Sequence, residues 1–347
     1  MSLRFTLHRL ALVVLLLIAA GRLSAADALP GGRRPVSYMI GDEWIGNGVS
    51  FSPYRDGQSP SGPARPSEEE IAADLGIVVR YWKLIRVYES KIVSERTLRA
   101  MQAGHLPVKL ILGVWIEPEK TAEAKARNAV EIAAGIRLAN AYPDQVLAVC
   151  VGNENCVEWS AIRTDPAEMV RHIRAVRSAV RQPVTVADDY NFWNKPESKA
   201  VAAEIDYIDL HAYALWNGQP LAQALTWLEG IYDAAVRFHA GIPVMIGETG
   251  WASRHDPKRN GPYEEGTLMK AEVSDAAQLN YLQQHYTWVR ERRVPTLLFE
   301  AFDENWKGGG AEVSPEASEK HWGVFDAQRR PKPAFTAIIR EFYPAAK

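Results

Sequence analysis

Two glutamates, Glu154 and Glu248, occupy matching positions in the amino-acid sequence. Each directly follows a short apolar run and lies near glycine: residues 151–154 read Val-Gly-Asn-Glu, and residues 247–251 read Gly-Glu-Thr-Gly-Trp. Glycoside hydrolysis uses two carboxyl groups, one that donates a proton to the leaving oxygen and one that attacks, or supports, the anomeric carbon. The pair therefore predicts a glycosidase. Carboxyl groups about 5–5.5 Å apart support retention of configuration, whereas a wider separation leaves room for water and inversion.

The elements that must position this pair follow from the pattern of apolar residues. Eight short apolar or β-branched runs are predicted strands, and several are apolar at consecutive positions, as strands buried on both faces are. The predicted strands span residues 47–51, 84–88, 109–114, 146–151, 184–187, 207–210, 244–246 and 296–299. Helical patterns separate them, at 121–142, 166–180, 221–239, 276–292 and 333–342, and after a capping box of Ser67 and Glu70.

This alternation predicts the α/β class and a single-domain (β/α)8 TIM barrel, with a doubly wound open sheet as the main alternative. Glu154 and Glu248 are 94 residues apart, which is close to three βα units of about 30 residues each. Because the carboxyl ends of barrel strands meet at one rim, the two glutamates are expected to face each other across the barrel mouth.

The first 26 residues resemble a secretory signal peptide rather than part of the fold. Arg4, His8 and Arg9 make a positive start, residues 10–20 are uninterruptedly apolar, and small residues follow at 24–26. The apolar run is short for a membrane span, although an uncleaved anchor is the alternative. We therefore expect a signal peptide at 1–26, a leader at 27–44 and a catalytic domain at 45–347, in a periplasmic or secreted protein without stable membrane insertion.

Composition narrows the possible partners. The net charge of −2 provides no electrostatic footprint for nucleic acid, and no dinucleotide, phosphate-loop or metal-binding histidine motif is present, so neither a cofactor nor a metal is predicted. The 11 tryptophans and 13 tyrosines suit stacking on sugar rings. A monomer is expected. Only Cys150 and Cys156 could form a disulfide, and the sequence leaves their pairing open.

Four segments together resemble glycoside hydrolase family 17, whose members act on β-1,3-glucans. They are residues 45–54 (IGNGVSFSPY), 151–154 (VGNE), 246–251 (IGETGW) and 299–307 (FEAFDENWK), and the tail from 321 to 334 is also similar to the family's ending. The resemblance spans the chain from about Gly46 to Phe335 and implies a barrel enzyme with a β-glucan oligosaccharide or polysaccharide as its substrate.

Carried over to this sequence, the resemblance implies that Glu154 is the acid/base and Glu248 the nucleophile of a retaining reaction. It also implies that Asn153 hydrogen-bonds the sugar 2-hydroxyl, that Arg86 keeps the nucleophile ionised and that Tyr213 donates a hydrogen bond to it. A salt bridge within the barrel mouth for Arg86 and a core role for Tyr213 are the alternatives.

Further side chains at or beyond the predicted strand ends are candidates for sugar binding. Trp251 is the favoured stacking residue, Asp189 could bind hydroxyls or cap a turn, and His211 is expected to hold a neighbouring loop rather than transfer protons. The substrate-binding candidates are Tyr54, Tyr88, Asp189, Tyr190, Trp193, His211, Trp216, Trp251, Glu300, Trp306 and Lys307.

The sequence departs from the plant-type pattern of the family after the acid/base and at residues 211–213, which read His-Ala-Tyr. Residues 54–60 are similar to bacterial members, which include enzymes that transfer glucan chains. Hydrolysis and transfer therefore both remain open. The alternatives are a β-1,4-glucanase and a non-catalytic polysaccharide-binding barrel. The charged stretch at 253–272 is either a flap over the cleft or disordered.

Overall fold

The computed structural model describes residues 32–343, and within them eight parallel strands close into a barrel. Each strand pairs with the next along the chain, and the last pairs with the first through Leu297 and Gly48. The strands are β1 (Asn47–Ser50), β2 (Leu84–Val87), β3 (Lys109–Val114), β4 (Val146–Asn153), β5 (Val184–Asp189), β6 (Ile208–His211), β7 (Val244–Thr249) and β8 (Thr296–Leu298). The predicted barrel is confirmed, and the open sheet is excluded by the β8–β1 pairing.

Helices cross over between the strands and cover the outside of the barrel. They are α1 (Glu68–Val78), α2 (Ile92–Ala103), α3 (Ala122–Ala141), α4 (Pro166–Arg177), α5 (Tyr190–Trp193), α6 (Ser198–Ala202), α7 (Ala224–Phe238), α8 (Glu265–Leu268), α9 (Asp275–Arg292) and α10 (Pro333–Phe342). The predicted capping box is confirmed: Ser67 Oγ accepts from the Glu70 backbone N–H, and the Glu70 carboxylate accepts from the Ser67 N–H. Asp165 likewise caps α4, with Pro166 at its first position.

Several elements differ from the sequence-based expectation. Helix α2 was not predicted because its buried face includes Ser94 and Thr97, which interrupt the apolar pattern; their hydroxyls are satisfied by the carbonyls of Glu89 and Val93. Strands β4, β5 and β7 run two or three residues further than predicted. Polar residues such as Asp188, Glu248 and Thr249 obscured this extension, because they are buried rather than exposed to solvent.

The inward-facing side chains form two layers. The lower layer, here called the barrel floor, is apolar and consists of Leu84, Ile111, Ala148, Tyr207, Met245 and Leu297. A two-stranded hairpin at residues 39–44 lies beside it, and Tyr38 and Ile40 pack against the floor, with the Tyr38 hydroxyl 3.3 Å from Met245 Sδ. Residues 32–44 of the predicted leader therefore contribute to the fold.

Strand β2 illustrates how the layers alternate. Ile85 and Val87 pack outward into the large core between strands and helices, whereas Leu84 belongs to the floor. Arg86 points inward one layer above Leu84, as the period of two in a strand requires. All four residues are buried, so a buried guanidinium lies inside the barrel.

The predicted signal peptide at 1–26 lies outside the described residues. Within residues 32–343, no helix combines the length and apolarity needed to cross a membrane.

Candidate active site

A cavity of about 1390 Å³ opens at the carboxyl ends of the strands, and both Glu154 and Glu248 line it. Its other charged and polar lining side chains include Asn153, Tyr213 and Glu319. Its aromatic lining comprises Phe51, Tyr54, Tyr88, Trp115, Trp159, Tyr213, Trp216, Tyr263, Phe299, Trp306 and Trp322. The cavity therefore combines the glutamate pair with extensive flat apolar surface.

The end of β4 is shaped to present Glu154. Gly152 has a φ of +88°, and a Cβ atom there would lie 2.4 Å from Asn155 Oδ1. That same oxygen accepts a hydrogen bond from the Asn153 backbone N–H at 2.8 Å. Glu154 itself has a φ of +52°, and its N–H donates to the Ala187 carbonyl at 2.9 Å. Only glycine meets both demands at 152, because it lacks the Cβ and tolerates the left-handed region.

Glu248 at the end of β7 is almost fully buried and accepts three side-chain hydrogen bonds. Arg86 Nη1 and the Tyr88 hydroxyl donate to Oε1 at 3.1 and 2.9 Å, and the Tyr213 hydroxyl donates to Oε2 at 2.6 Å. Burial alone raises the pKa of Glu248, but the positive charges of His211 and Arg86 and the two tyrosine hydrogen bonds outweigh it and hold the pKa below its ordinary value. The carboxylate form is therefore strongly favoured.

Arg86 organises the inner wall of the site. Its Nη2 donates to Asn153 Oδ1 at 2.6 Å, which leaves the amide N–H groups of Asn153 as its free donors. Burial lowers the pKa of Arg86, but Asp209 and other electronegative neighbours, Glu248 among them, outweigh it and raise the pKa above its ordinary value. The guanidinium therefore stays charged while it positions both a carboxylate and an amide.

Asp209 lies on β6 beside the floor, and neither of its carboxylate oxygens makes a hydrogen bond to a described residue. Burial raises the pKa of Asp209, and Arg86 opposes the rise. A Cβ atom at Gly247 would lie 1.3 Å from Asp209 Oδ1, so residue 247 must be glycine for this carboxyl group to keep its position. The glycine before Glu248 is thus explained by close packing rather than by its backbone angles.

His211 bridges the two glutamates from β6. Its Nδ1 lies 2.9 Å from Glu154 Oε1, and its Nε2 lies 2.9 Å from Arg86 Nη1 and 3.5 Å from Glu248 Oε1. Burial lowers the pKa of His211, but Glu248 and Glu154 raise it to about 8. A proton on Nε2 below that pH would set two N–H donors against each other at the 2.9 Å contact with Arg86, so the observed geometry is that of the neutral ring. Above that pH the neutral ring keeps its proton on Nδ1 and accepts from Arg86, which can only donate.

The two glutamates are close together. One carboxylate oxygen of each, with one His211 nitrogen, forms a group whose members all lie within 4.8 Å of one another. The Arg86 guanidinium donates into the same group. The arrangement is therefore a hydrogen-bonded cluster of two acids, one base and one permanent cation.

Six of the eleven predicted substrate-binding residues line the cavity, namely Tyr54, Tyr88, Asp189, Trp216, Trp306 and Lys307. Two of these also have internal roles. Tyr88 hydrogen-bonds Glu248, and Asp189 caps α5 by accepting the Asn191 N–H at 2.8 Å. The capping role suggested for Asp189 is confirmed, and its binding of sugar hydroxyls stays a prediction.

The other five predicted residues do not line the cavity, and sugar contact by them stays a prediction. The favoured stacking residue, Trp251, is buried against Tyr281 and donates its indole N–H to the Glu272 carbonyl. Trp193 is also buried and donates to the Asp209 carbonyl. The remaining three are held by polar partners: His211 by Glu154, Glu300 by Lys307 and Tyr190 by Asn217. Strand-end position alone could not distinguish a cavity wall from the layer beneath it.

Some lining aromatics were absent from the predicted set. Trp115 follows β3, and Trp322 belongs to the tail segment of the resemblance. Trp159 and Tyr263 are the most exposed, at 46% and 74%. An exposed tryptophan in a loop six residues beyond a barrel strand is a detectable signal, but the sequence does not show that the loop returns over the cavity.

The stretch at 253–272 has a defined structure around buried Glu265. The Glu265 carboxylate accepts from Arg259 Nη1 at 2.9 Å and from the Asp256 and Ser318 backbone N–H groups. Tyr263 and Leu268 from this stretch line the cavity.

Cys150 and Cys156 are both buried and free, and they do not form a disulfide.

An eight-stranded parallel barrel with two close carboxyl groups at its carboxyl-end rim defines a glycoside hydrolase of the (β/α)8 class. The chain belongs to the family described as the BtgE/BtgC glycoside hydrolase domain, whose model matches residues 48–323. The resemblance to glycoside hydrolase family 17 is confirmed.

Known proteins of similar sequence include two named glucan 1,3-beta-glucosidase. The one from Schizosaccharomyces pombe is 27% identical over 265 residues, which cover 71% of this chain and 76% of the relative. The one from Arthroderma benhamiae is 24% identical over 282 residues, which cover 79% of this chain and 86% of the relative.

Solved structures share the fold. An endo-laminarinase from Formosa superposes with a TM-score of 0.73 at 22% identity, covering 86% of this chain and 88% of the other. A glycoside hydrolase family 17 beta-1,3-glucanosyltransferase from Rhizomucor miehei superposes with a TM-score of 0.65 at 25% identity, covering 83% of this chain and 95% of the other.

Proposed function

We propose that this protein cleaves β-1,3-glucan with retention of configuration, through a covalent glycosyl-enzyme on Glu248. The observation that carries the proposal is the separation of the glutamates, whose nearest oxygens lie within 4.8 Å. Retaining enzymes hold their carboxyl groups about 5–5.5 Å apart, whereas inverting enzymes need about 6.5–9.5 Å for the attacking water. The close approach of the two carboxylates supports the retaining mechanism.

In the first step, a Glu248 oxygen attacks the anomeric carbon while Glu154 donates its proton to the leaving glycosidic oxygen. The carbon–oxygen bond to the leaving sugar breaks as the ester bond to Glu248 forms. Arg86, Tyr88 and Tyr213 favour this step because they keep Glu248 ionised in a buried site. The free amide hydrogens of Asn153 would donate to the sugar 2-hydroxyl, where hydrogen bonds strengthen in the transition state.

In the second step, Glu154 removes a proton from the incoming acceptor, and the acceptor oxygen displaces Glu248 from the anomeric carbon. Water as the acceptor completes hydrolysis, and a sugar hydroxyl completes transfer. His211 contacts Glu154 in both steps and would stabilise its carboxylate form after proton donation. The same residues thus serve both outcomes.

The substrate class is inferred from relatives and from the shape of the site. The two relatives reported above are named for 1,3-β-linked glucan. The cavity of about 1390 Å³ with several aromatic walls suits a chain of glucose units better than a single sugar. The exposed Trp159, in the loop after Glu154, is the favoured platform for the leaving or accepting sugar, because the acid/base acts on that side of the bond.

Glucanosyl transfer is the second candidate function, and the breadth of the aromatic lining favours it. A transferase must hold an acceptor sugar longer than water takes to reach the intermediate. Trp159 and Trp216 both line the cavity and could hold it. We further propose that the protein acts in the periplasm or outside the cell, as the sequence of residues 1–26 predicts.

Chemical rescue tests the mechanism. A retaining enzyme that lacks its nucleophile accepts azide directly and forms an α-glycosyl azide, whereas one that lacks its acid/base passes azide through the intermediate and forms a β-glycosyl azide. Laminari-oligosaccharides with an activated leaving group should therefore produce the α-azide with Glu248→Ala and the β-azide with Glu154→Ala. The reverse pattern would exchange the two roles, and full activity in either variant without azide would refute the proposal.

Product lengths from unmodified laminari-oligosaccharides distinguish the two outcomes. Products that are only shorter than the donor identify a hydrolase, and products longer than the donor identify a transferase. Cello-oligosaccharides provide the matched substrate control. Cleavage of these β-1,4-linked sugars in preference to the β-1,3-linked set would refute the proposed substrate while leaving the mechanism intact.

A further inference from the structure

Away from the active site, three potential metal ligands converge where the loop after β3 meets α4. Glu119 lies in the loop, and Glu168 and His172 lie one turn apart on the helix. His172 Nε2 is 3.5 Å from Glu119 Oε1 and 3.8 Å from Glu168 Oε1. One donor atom from each residue lies within 4.8 Å of the other two. The three side chains therefore surround a common point.

The environment of His172 is unusual for a buried histidine. The residue is only 6% exposed, and its Nε2 makes no hydrogen bond to any described residue. A buried polar atom without a hydrogen bond is unfavourable, and the ring nitrogens of histidine are common metal ligands.

The cation beside the two carboxylates is Arg171, which forms long ion pairs with both of them. Arg171 Nη2 lies 3.7 Å from Glu119 Oε2 and 3.9 Å from Glu168 Oε2, which is beyond hydrogen-bonding distance, and its side chain is largely exposed. Glu168 is held in place by the Glu119 backbone N–H, which donates to its Oε1 at 3.1 Å. Two oriented carboxylates and one imidazole therefore face one another, and the exposed Arg171 guanidinium forms long ion pairs with the carboxylates rather than hydrogen bonds.

The cluster of Glu154, His211 and Glu248 has the same residue types but a different environment. There both histidine nitrogens have short contacts, to Glu154 and to Arg86, and the guanidinium donates directly to Glu248. Arg86 thus supplies a positive charge in direct contact with that cluster, whereas the group on α4 has the longer ion pairs to Arg171.

We infer that Glu119, Glu168 and His172 form a binding site for a divalent transition-metal cation such as Zn²⁺. Zinc bonds of about 2.0–2.2 Å to nitrogen and oxygen place tetrahedral ligand atoms about 3.4 Å apart. The two nitrogen–oxygen distances of 3.5 and 3.8 Å need only a small contraction to reach this value. The imidazole ligand favours zinc over Mg²⁺ and Ca²⁺, which prefer oxygen ligands alone. Water would complete the coordination.

The cation would connect the loop after β3 to α4. Trp115 and Glu117 of this loop line the active-site cavity, so the site has a structural role at the edge of the substrate-binding region. It does not depend on the proposed reaction.

Zinc binding to the chelator-treated full chain tests the inference, measured by calorimetry and by the shift of Tm. Wild type should bind zinc with a Tm that rises with the logarithm of zinc concentration. His172→Gln and Glu168→Gln should each remove one zinc per chain, or weaken it by at least about tenfold. Arg171→Gln should bind more tightly because the competing cation is gone. His105→Gln, which removes an exposed histidine, is the matched control and should behave as wild type.

X-ray absorption at the zinc edge should show the scattering of a single imidazole, and this signal should be lost in His172→Gln. Mg²⁺ and Ca²⁺ should produce no comparable Tm shift. Circular dichroism checks that each variant folds; if His172→Gln does not, the partly exposed Glu119→Gln and Glu168→Gln serve in its place. Absence of zinc binding in wild type and Arg171→Gln, or binding that all three ligand variants retain, would overturn the inference.

Discussion

The barrel floor and the layer above it come from the same eight strands, yet their side chains differ sharply in polarity. The floor is apolar and is packed by Tyr38 and Ile40. The layer above it contains Arg86, His211 and Glu248, which are buried and ionisable. A single step of two residues along β2, from Leu84 to Arg86, crosses from one to the other. Inside the barrel, the buried charged side chains of Arg86 and Glu248 lie above the apolar floor, at the end that opens into the cavity.

Buried charge in the upper layer is sustained by pairing rather than by solvent. Each charged group there contacts at least one partner of opposite sign or a hydrogen-bond donor. Removing one member should therefore alter the chemistry of the others, whereas trimming the floor should alter stability alone. Four substitutions test this difference.

The largest effect is expected from Arg86→Met. Loss of the guanidinium removes a donor to Glu248 and a cation that lowers its pKa, so kcat should fall by about 10²–10³-fold. Because the pKa of Glu248 rises, the acid limb of the kcat/KM profile should move to higher pH. Arg174→Met, which breaks an exposed pair with Glu204, is the control. An unshifted acid limb in Arg86→Met would separate Arg86 from the ionisation of Glu248.

Gly247→Ala should act through the same layer without removing any charge. Its methyl group would overlap Asp209 Oδ1 and displace the neighbouring Glu248, and a misplacement of about 1 Å costs about 10²-fold in rate. Activity assays and thermal unfolding should both show a loss. Gly230→Ala, on the outer helix α7 where a Cβ has open space, should be neutral or stabilising. Equal behaviour of the two variants would contradict the packing role of Gly247.

His211→Asn should change the pH dependence more than the maximum rate. The pKa of His211 is raised to about 8, so its imidazolium is present below that pH and is lost as the pH rises through it. Wild-type kcat/KM should therefore fall through about pH 8, and this limb should disappear in the variant. The acid limb should also move upward, since His211 contributes to the low pKa of Glu248. An identical profile in both proteins would leave His211 with a purely structural role.

The smallest effect is expected in the floor. Ile111→Val removes one buried methyl group and should lower the free energy of unfolding by about 0.5–1.5 kcal/mol. Denaturant unfolding measures this loss, and kcat/KM at 25 °C should match wild type because the upper layer keeps its contacts. A large drop in kcat with little change in stability would show that the two layers are not separable.

The sequence predicted the positions of the two glutamates better than it predicted which aromatic residues line the cavity. Glu154 and Glu248 could be placed at one rim because strand periodicity and a spacing of about three βα units constrain them. The sequence could not show whether Trp193 and Trp251 line the cavity, since a tryptophan beyond a strand either faces the cavity or packs beneath it. Periodicity does not extend into loops, so the sequence also could not predict that Trp159 and Tyr263 line the cavity.

By itself, the sequence determined the alternation of eight strands with helices, the caps of α1 and α4 and the pairing of two glutamates with glycine-containing turns, because these depend on local spacing and backbone preference. The tertiary structure alone decided which buried residues of β2 face inward, how His211 links both glutamates, and that Gly247 makes room for Asp209. It also brought Glu119 to His172. These features depend on contacts between residues distant in the chain, whose geometry is set only when the barrel closes.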